Sequence, residues 1–449
     1  MKKLSLFLII SKLAFAQTIS FEEALNQTIE NSKDLQKQKI NIDIAKTNSD
    51  FIDGVNFGKV SLNSDISRTN HSGYVFMGKL SNREATFKDF GFAQNTGDMN
   101  IAPKDLNYPD SYTSINSYIS YDLPLFTGFA LYHQKGILKL QEKANEILYN
   151  LDKKTLEFEV LKAYNSAVLA KDFVKTMQKA KDTIGFIKNG AKEFHKNGLV
   201  TKIDVNEAEL YFLNTNSNLI EAENNFKLSL AYLKFLTSNE NISDVENLQN
   251  TYLEIKEFED LYKIALKNRD EITLQNISIE ANNKNIKANQ GSYYPSIFTH
   301  LEYGYNDDKF STSKDKDYYM ALLGISLTLF DGTRSANLEK SRLEYLKAKL
   351  DFEKLQDGIK LEVQKAILDY KAKQEILKEK ILASELASSV LNQAKLQYKN
   401  RLISMTTLLS QETNYRQSQT MLLNAKYENS LALARLNLVL GQNLQKDYK

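Results

Sequence analysis

The 449-residue sequence predicts a mainly α fold of long antiparallel helical hairpins, with four short strands fit for a small membrane β-barrel, arranged as an internal duplication. Three observations predict it. A repeat covers nearly the whole chain, two stretches of about 67 residues are almost free of helix breakers, and four segments alternate apolar and polar residues with period two.

The repeat can be followed residue by residue. Ser20-Phe21-Glu22-Glu23-Ala24 faces Glu257-Phe258-Glu259-Asp260-Leu261, and at the same offset of about 237 Asn31 faces Asn268 and Leu35 faces Ile272. Leu125-Phe126-Thr127-Gly128 faces Leu329-Phe330-Asp331-Gly332 at about 204, and Ala191-Lys192 with Lys196-Asn197 faces Ala394-Lys395 with Lys399-Asn400 at about 203. Such a unit is far longer than the 20 to 50 residues of solenoid repeats, so it implies a duplicated half-protein. The offset falls by about 33 between the two strands of each half, which places a longer loop, near Thr69 to Asp110, in the first half. The expected organisation is a signal segment at 1–16, a first repeat at 17–238, a connecting segment at 239–256, a second repeat at 257–441 and a tail at 442–449.

Met1-Lys2-Lys3, the apolar run Leu4 to Ile10 and Ala14-Phe15-Ala16 give the charged start, short apolar core and small-x-small site of a secretory signal, with the mature chain starting at Gln17. That run is too short to span a bilayer, and no other segment offers about 18 apolar residues, so any membrane insertion must use strands. Amphipathic helices follow at Phe21 to Asn48 and, in the second half, at Phe258 to Ala288.

Four strands come next. Val60, Leu62 and Ile66 alternate with Ser61, Asn63, Asp65 and Ser67; Ile115, Ile119, Tyr121, Leu123 and Leu125 alternate with Ser114, Asn116, Ser120 and Asp122. Ile297, Leu301, Tyr303 and Tyr305 alternate with Ser296, His300 and Glu302, and Leu323, Ile325, Leu327 and Leu329 with Gly324, Ser326 and Thr328. Segments of about 9 to 13 residues are long enough to cross a bilayer at a tilt. Phe57, Tyr121, Phe126, Phe129, Tyr293, Tyr294, Tyr318 and Tyr319 gather at their ends, where a membrane barrel carries aromatic girdles. Four strands cannot close a barrel, and lipid tolerates no open sheet edge, so several chains must share one barrel if these strands span a membrane.

Long helices fill Gly128 to Asn197 and Gly332 to Asn400, each a rod of about 100 Å at 1.5 Å per residue. Ile137, Leu140, Ala144, Ile147 and Leu151, then Ala163, Ala167, Ala170, Val174 and Met177, recur at coiled-coil spacing. Helices from about Lys202 to Leu236 and Ser404 to Leu440 return antiparallel through turns of four or five residues. Four prolines, seventeen glycines and no tryptophan suit such a helical chain.

The ordered set Phe21-Glu22-Glu23-Ala24, the strand exits Leu125-Phe126-Thr127-Gly128 and Leu329-Phe330-Asp331-Gly332, the turn Asn197 to Val205 and the terminal Leu440-Gly441 resembles the TolC-like outer-membrane efflux and secretion channels. The resemblance implies a homotrimer in the outer membrane, each protomer giving four strands to a trimeric 12-stranded β-barrel, with the hairpins forming a periplasmic α-barrel. It also implies a passive exit duct of a tripartite efflux pump or type I secretion system, without enzymatic activity, energised by an inner-membrane pump and docked by a periplasmic adaptor protein. The tip that meets the adaptor falls on Gly198, Leu199, Val200 and Thr201 and on Arg401, Leu402, Ile403 and Ser404. Arg401 stands where the family favours a turn glycine, which predicts a strained or differently shaped cap. Gate candidates are Asp204, Tyr398 and Arg401, and the positions of the family's carboxylate ring hold Thr407 and Ser410. Arg401 is expected to replace the missing cation and pair with Asp204.

Other chemistries find little support. A net charge of +2 leaves no electrostatic footprint for nucleic acid, and the absence of cysteine excludes disulfides, zinc–thiolate sites and a thiol nucleophile. His71, His133, His195 and His300 lack metal-ligand spacing, and Gly185 to Lys192 resembles a phosphate loop with Ala191 where the lysine belongs. No catalytic group, cofactor or metal is expected. The alternative is the periplasmic adaptor itself, which would carry one hairpin flanked by glycine-rich β domains; a trimeric surface adhesin would not predict the duplication.

Overall fold

The computed structural model describes residues 17–247 and 257–442; the expected signal segment, part of the connecting segment and nearly all of the tail lie outside them. In chain order the elements are β1 (Gln17–Ile19), α1 (Phe21–Asn31), α2 (Lys33–Asn56), β2 (Lys59–Thr69), α3 (Ser72–Ser81), α4 (Lys104–Asn107), β3 (Tyr112–Thr127), α5 (Ala130–Lys196) and α6 (Lys202–Thr237). Then follow β4 (Ile242–Val245), α7 (Phe258–Asn268), α8 (Asp270–Gln290), β5 (Ser296–Asp307), β6 (Asp317–Ser326), α9 (Arg334–Lys399) and α10 (Met405–Val439). The fold is mainly α and internally duplicated. α5 and α9, 67 and 66 residues long, are each one unbroken helix.

Among the described residues the chain divides into two compact units, each drawing on both repeats. The first takes in 17–41, 144–276 and 350–442. Ser20 starts α1 with a capping box: its hydroxyl accepts from Glu23 N and the Glu23 carboxylate accepts from Ser20 N, so two orphan donors are satisfied. α1 lays Phe21, Ala24 and Leu25 on Val160, Leu161, Tyr164, Leu230 and Leu233, and α7 packs Leu261 and Ala265 on Val363, Ala366, Leu433 and Leu436. The duplication is visible in these cores. Val160, Ala163, Leu230 and Leu233 recur 203 residues on as Val363, Ala366, Leu433 and Leu436, and all eight are buried. β1 and β4, which no periodicity announces, form a small parallel pair fixed by the Tyr164 hydroxyl, which donates to the carbonyls of Ile19 at 2.9 Å and Glu246 at 3.0 Å.

The single amphipathic helix expected at the start of each half is two. Ser32 (ψ 117°) separates α1 from α2, and Arg269 (ψ 125°) separates α7 from α8. Ser32 starts α2 as a local cap, its hydroxyl accepting from Leu35 N at 3.3 Å, and side chains at both breaks reach distant partners. Asn31 Nδ2 donates to the Thr237 carbonyl at 2.8 Å, and the Arg269 guanidinium pairs with Glu271 and Glu362.

The second unit, Ile42–Lys143 with Ile277–Lys349, holds an antiparallel sheet in the order β2-β3-β5-β6. The central β3–β5 pairing joins the two repeats, with Ser120 opposite Glu302 and Asp122 opposite His300. β3 bulges between Pro124 and Phe126, where a proline can sit without a ladder donor. β6 ends at Ser326, so Leu327 and Leu329, expected in this strand, lie beyond it. The 70–111 connection is folded: α3, α4 and a turn at Phe92–Gln94 surround an aromatic cluster in which Phe76 and Phe90 stand 5.0 Å apart and Phe90 and Phe92 6.4 Å apart.

Candidate functional site

Two regions carry the features that can do work: the hairpin turns of the first unit and the sheet of the second.

At the first turn α5 ends in a Schellman motif, with Leu199 N donating to the Phe194 carbonyl and Gly198 N to that of His195, both orphan carbonyls of the helix end. Gly198 has φ +64°. α9 ends in the same pattern, Leu402 N to the Gln397 carbonyl and Arg401 N to that of Tyr398, with Arg401 at φ +60°. The cap is therefore the same shape in both halves, and the difference appears as strain: an L side chain in this region costs about 1–2 kcal/mol. Thr201 opens α6 with a capping box to Asp204, and Ser404 opens α10 by accepting from Thr407 N at 3.1 Å. Leu199, Thr201, Leu402 and Ser404 are exposed, while Val200 and Ile403 are half-buried.

The expected Asp204–Arg401 pair is not formed within the chain. One Asp204 carboxylate oxygen accepts from Thr201 N at 2.8 Å and from the Thr201 hydroxyl at 2.7 Å, so it is held by its own helix start. Asp204 and Tyr398, candidates from different halves, are brought near each other. The Tyr398 hydroxyl has no hydrogen-bond partner among the described residues, and burial, followed by the nearby Asp204 charge, raises its pKa. Thr407 is engaged in the cap and Ser410 is exposed, and both side chains bring a hydroxyl rather than a carboxylate to these positions.

Beneath the turns the hairpins share one core: Ile187, Ala191, Val205 and Ala208 pack with Leu391, Ala394, Met405, Leu408 and Leu409. Two polar links there were not foreseen. Thr406 Oγ1 donates to Glu207 Oε2 at 2.9 Å, tying α6 to α10. Glu412, 2% exposed, stands 3.7 Å from Arg416 Nε, and neither Glu412 Oε2 nor Arg416 Nε has a hydrogen-bond partner among the described residues. Burial raises the Glu412 pKa against the opposing pull of Arg416 and Lys395. Helix spacing shows the Glu412–Arg416 relation, as it shows many surface pairs; burial is a tertiary fact.

In the sheet, the pairing register sorts side chains onto two faces. One carries Val60, Leu62 and Ile66 of β2, Ile119 and Leu123 of β3, Leu301 and Tyr303 of β5, and Leu323 and Ile325 of β6. The opposite face carries Ser61, Asn63 and Asp65, then Asn116, Ser120 and Asp122, then His300 and Glu302; β6 is apolar on both. The apolar row is open to the surroundings: Leu62 is 79% exposed and Ile325 69%. On the polar face His300 Nδ1 lies 2.7 Å from Asp122 and its Nε2 3.1 Å from Glu302, while the Tyr318 hydroxyl donates to Glu302 and Asn116. Tyr318 thus leaves the expected girdle for this network. Phe126, Phe129 and Tyr294 do cluster at one end of the sheet, with centroids 5.0 and 6.1 Å apart, and Tyr319 is 83% exposed. No described helix is long and apolar enough to cross a membrane.

An antiparallel four-stranded sheet with an apolar face, joined in sequence to paired helical hairpins, is the fold of the TolC-like channel protomers. Residues 261–442 match the model of the outer membrane efflux protein family, in line with the resemblance read from the sequence. Solved structures with the same fold include the transmembrane channel CusC, at 14% identity with a TM-score of 0.78 over 95% of this chain and 93% of that one. The Campylobacter jejuni outer membrane channel CmeC matches at 14% identity with a TM-score of 0.74 over 94% and 85%, and the open state of the Neisseria gonorrhoeae channel MtrE at 15% with 0.75 over 95% and 90%. No curated protein matches the chain by sequence.

Proposed function

We propose that three copies of this chain close one twelve-stranded barrel in the outer membrane. In this reading their hairpins form a periplasmic tunnel, the whole serving as the exit duct of a tripartite efflux pump or type I secretion system. The observation that carries the reading is the sheet. Apart from Ile115 near one end, which is buried, its apolar row is left open by the described residues, and its outer strands β2 and β6 each have one partner among the described strands, so each keeps an unpaired edge. Lipid accepts such a sheet only when those edges are closed by further strands. β2, β3, β5 and β6 have 11, 16, 12 and 10 residues, enough for a tilted crossing.

The conduit needs no catalytic group of its own; an inner-membrane transporter supplies the energy through a periplasmic adaptor. Gly198 to Thr201 and Arg401 to Ser404 form the surface offered to that adaptor. The constriction draws on Asp204 with Tyr398, on the Glu207–Thr406 link and on Arg401, whose guanidinium has no ion-pair partner among the described residues. Thr407 and Ser410 make the corresponding ring neutral, so closure at the tip is insensitive to divalent cations.

Purified protein in detergent should run as a trimer and insert into planar bilayers as a channel, with Tyr398→Ala or Asp204→Ala raising its conductance. A monomer that stays soluble without detergent and gives no channel events would sink the reading.

A further inference from the structure

The connection between β2 and β3 spans residues 70–111, whereas that between β5 and β6 spans only 308–316. Its first helix, α3, does not hang free. A Cβ added at Gly78 would lie 3.4 Å from the Tyr112 ring and 3.6 Å from Ser114 Cβ, ordinary contact distances, so the helix rests against β3 at this point. Behind the helix Asn82, fully buried, donates through Nδ2 to the Tyr112 hydroxyl at 2.8 Å and accepts from Ser114 Oγ at 3.2 Å. Tyr112 and Ser114 alternate in register with Asn116, Ser120 and Asp122, so the helix covers the polar face. On the other face Ile66 stays 61% exposed, although its register partner Ile115 is buried.

The next residues lash the loop to the short turn. Arg83 donates to the carbonyls of Asp315 at 2.7 Å and Asp317 at 2.6 Å, while Lys316 Nζ donates to the Asn82 carbonyl at 2.6 Å and to Glu84 at 2.7 Å. The carboxylates of Glu84, Asp307 and Asp308 lie close together there, and Lys316, 3.5 Å from Asp307 as well, is their counter-cation. Lys79 and Asp89 pair at 2.5 Å inside the loop. These contacts join two separate loops and give α3 a fixed seat, unlike the loosely held tips usual for surface loops.

We propose that residues 70–111 form a fixed inward collar at the outer mouth of the barrel, a second constriction that sets the largest cargo able to leave. The proposal rests on the barrel reading, in which the polar face lines the bore; an aqueous bore is where a hydrogen-bonded helix can sit on a sheet without facing lipid. Three copies bring three collars to one opening.

The chain has no cysteine, so introduced thiols report cleanly. With Cβ atoms about 3.6 Å apart, Gly78→Cys combined with Ser114→Cys should form a disulfide without added strain, seen as loss of free thiol and a reducible mobility change. Absence of the cross-link in the folded trimer would overturn the collar. The second measurement places Asn63→Cys on the polar face and Leu62→Cys on the apolar one, labelled from outside with a small maleimide and a bulky polyethylene glycol maleimide. At Asn63→Cys the bulky reagent should react at least about tenfold more slowly than the small one, a gap that closes when 84–107 is replaced by a short turn. Equal rates in the full-length loop would refute the collar while leaving the barrel intact. If Leu62→Cys reacts with the small reagent as readily as Asn63→Cys, the barrel reading falls instead.

Discussion

Glu209 in the first hairpin and Glu412 in the second occupy the same position, 203 residues apart, and their surroundings have diverged. Glu209 lies at the surface between Lys192 at 2.9 Å and Lys188 at 3.5 Å, and the bond from Lys192 is the main cause of its lowered pKa. Glu412 is buried with Arg416 at 3.7 Å, and burial raises its pKa. Gly198 and Arg401 repeat the lesson in the backbone: the same Schellman cap, with φ +64° and +60°, is made once by glycine and once by arginine. Duplication has kept the geometry and released the chemistry. The turn must close for the hairpin to pack, so strain at Arg401 is tolerated and sequence freedom is taken up by side chains.

The sheet is where the halves should remain equivalent, and it gives the largest expected effect. Leu62→Lys in β2 and Leu323→Lys in β6 place a charge on the apolar row of each repeat. Each should cost about 2–4 kcal/mol near the bilayer centre and less towards its edges. The band of the folded assembly proposed above should be lost from heated gels at lower temperature, to a similar degree for both. Ser61→Lys, on the polar face, is the control and should behave nearly as the parent. A large cost for one repeat and none for the other would break the equivalence and show that only half of the sheet meets lipid.

The turns should show the opposite signs that equivalent geometry with unequal residues demands. Gly198→Ala forces a Cβ into the left-handed region and should cost about 1 kcal/mol. Arg401→Gly relieves that strain and, set against the greater freedom of glycine in the unfolded chain, should gain up to about 1 kcal/mol. The midpoint of denaturant-induced loss of helical circular dichroism, read in one detergent, checks both. Two shifts of the same sign would mean that Arg401 makes a contact outweighing its backbone strain.

How far these features can be read before folding depends on whether their cause is local. The rods α5 and α9 are legible because no proline or run of glycines interrupts them, and the α1 and α6 starts because Ser20 to Glu23 and Thr201 to Asp204 have capping-box spacing. The breaks at Ser32 and Arg269 are harder to see: Ser32 caps α2 at Leu35 N, a cue that any helix-interior serine could offer, and the distant partners Thr237 of Asn31 and Glu362 of Arg269 depend on tertiary structure. α3 carries Gly73 and Gly78 and no clear helical stripe, so its helicity comes from its seat on β3. β1 and β4, at three and four residues, are too short for a period to show. Among the site residues, Asp204 and Tyr398 are accessible through the family resemblance, while Glu207 with Thr406 and the burial of Glu412 depend on how two hairpins meet.

The smallest and most discriminating effect is in pH. A carboxyl whose folded pKa is lowered contributes stability above its ordinary value near 4.3, lost as pH falls through the folded one; this is Glu209. A carboxyl whose folded pKa is raised contributes most below that ordinary value, and the contribution is lost as pH rises through the folded one; this is Glu412. Glu209→Gln should therefore destabilise at pH 7 and Glu412→Gln should stabilise there, and both differences should fade when the pH is brought well below 4, where each glutamate is protonated and resembles glutamine. Thermal unfolding of the detergent-solubilised protein across that range reads both variants in one experiment. If Glu412→Gln destabilises at pH 7, then the charge on Glu412 is needed by Arg416 or Lys395, and the two copies of this position are alike in serving an ion pair, one at the surface and one in the core.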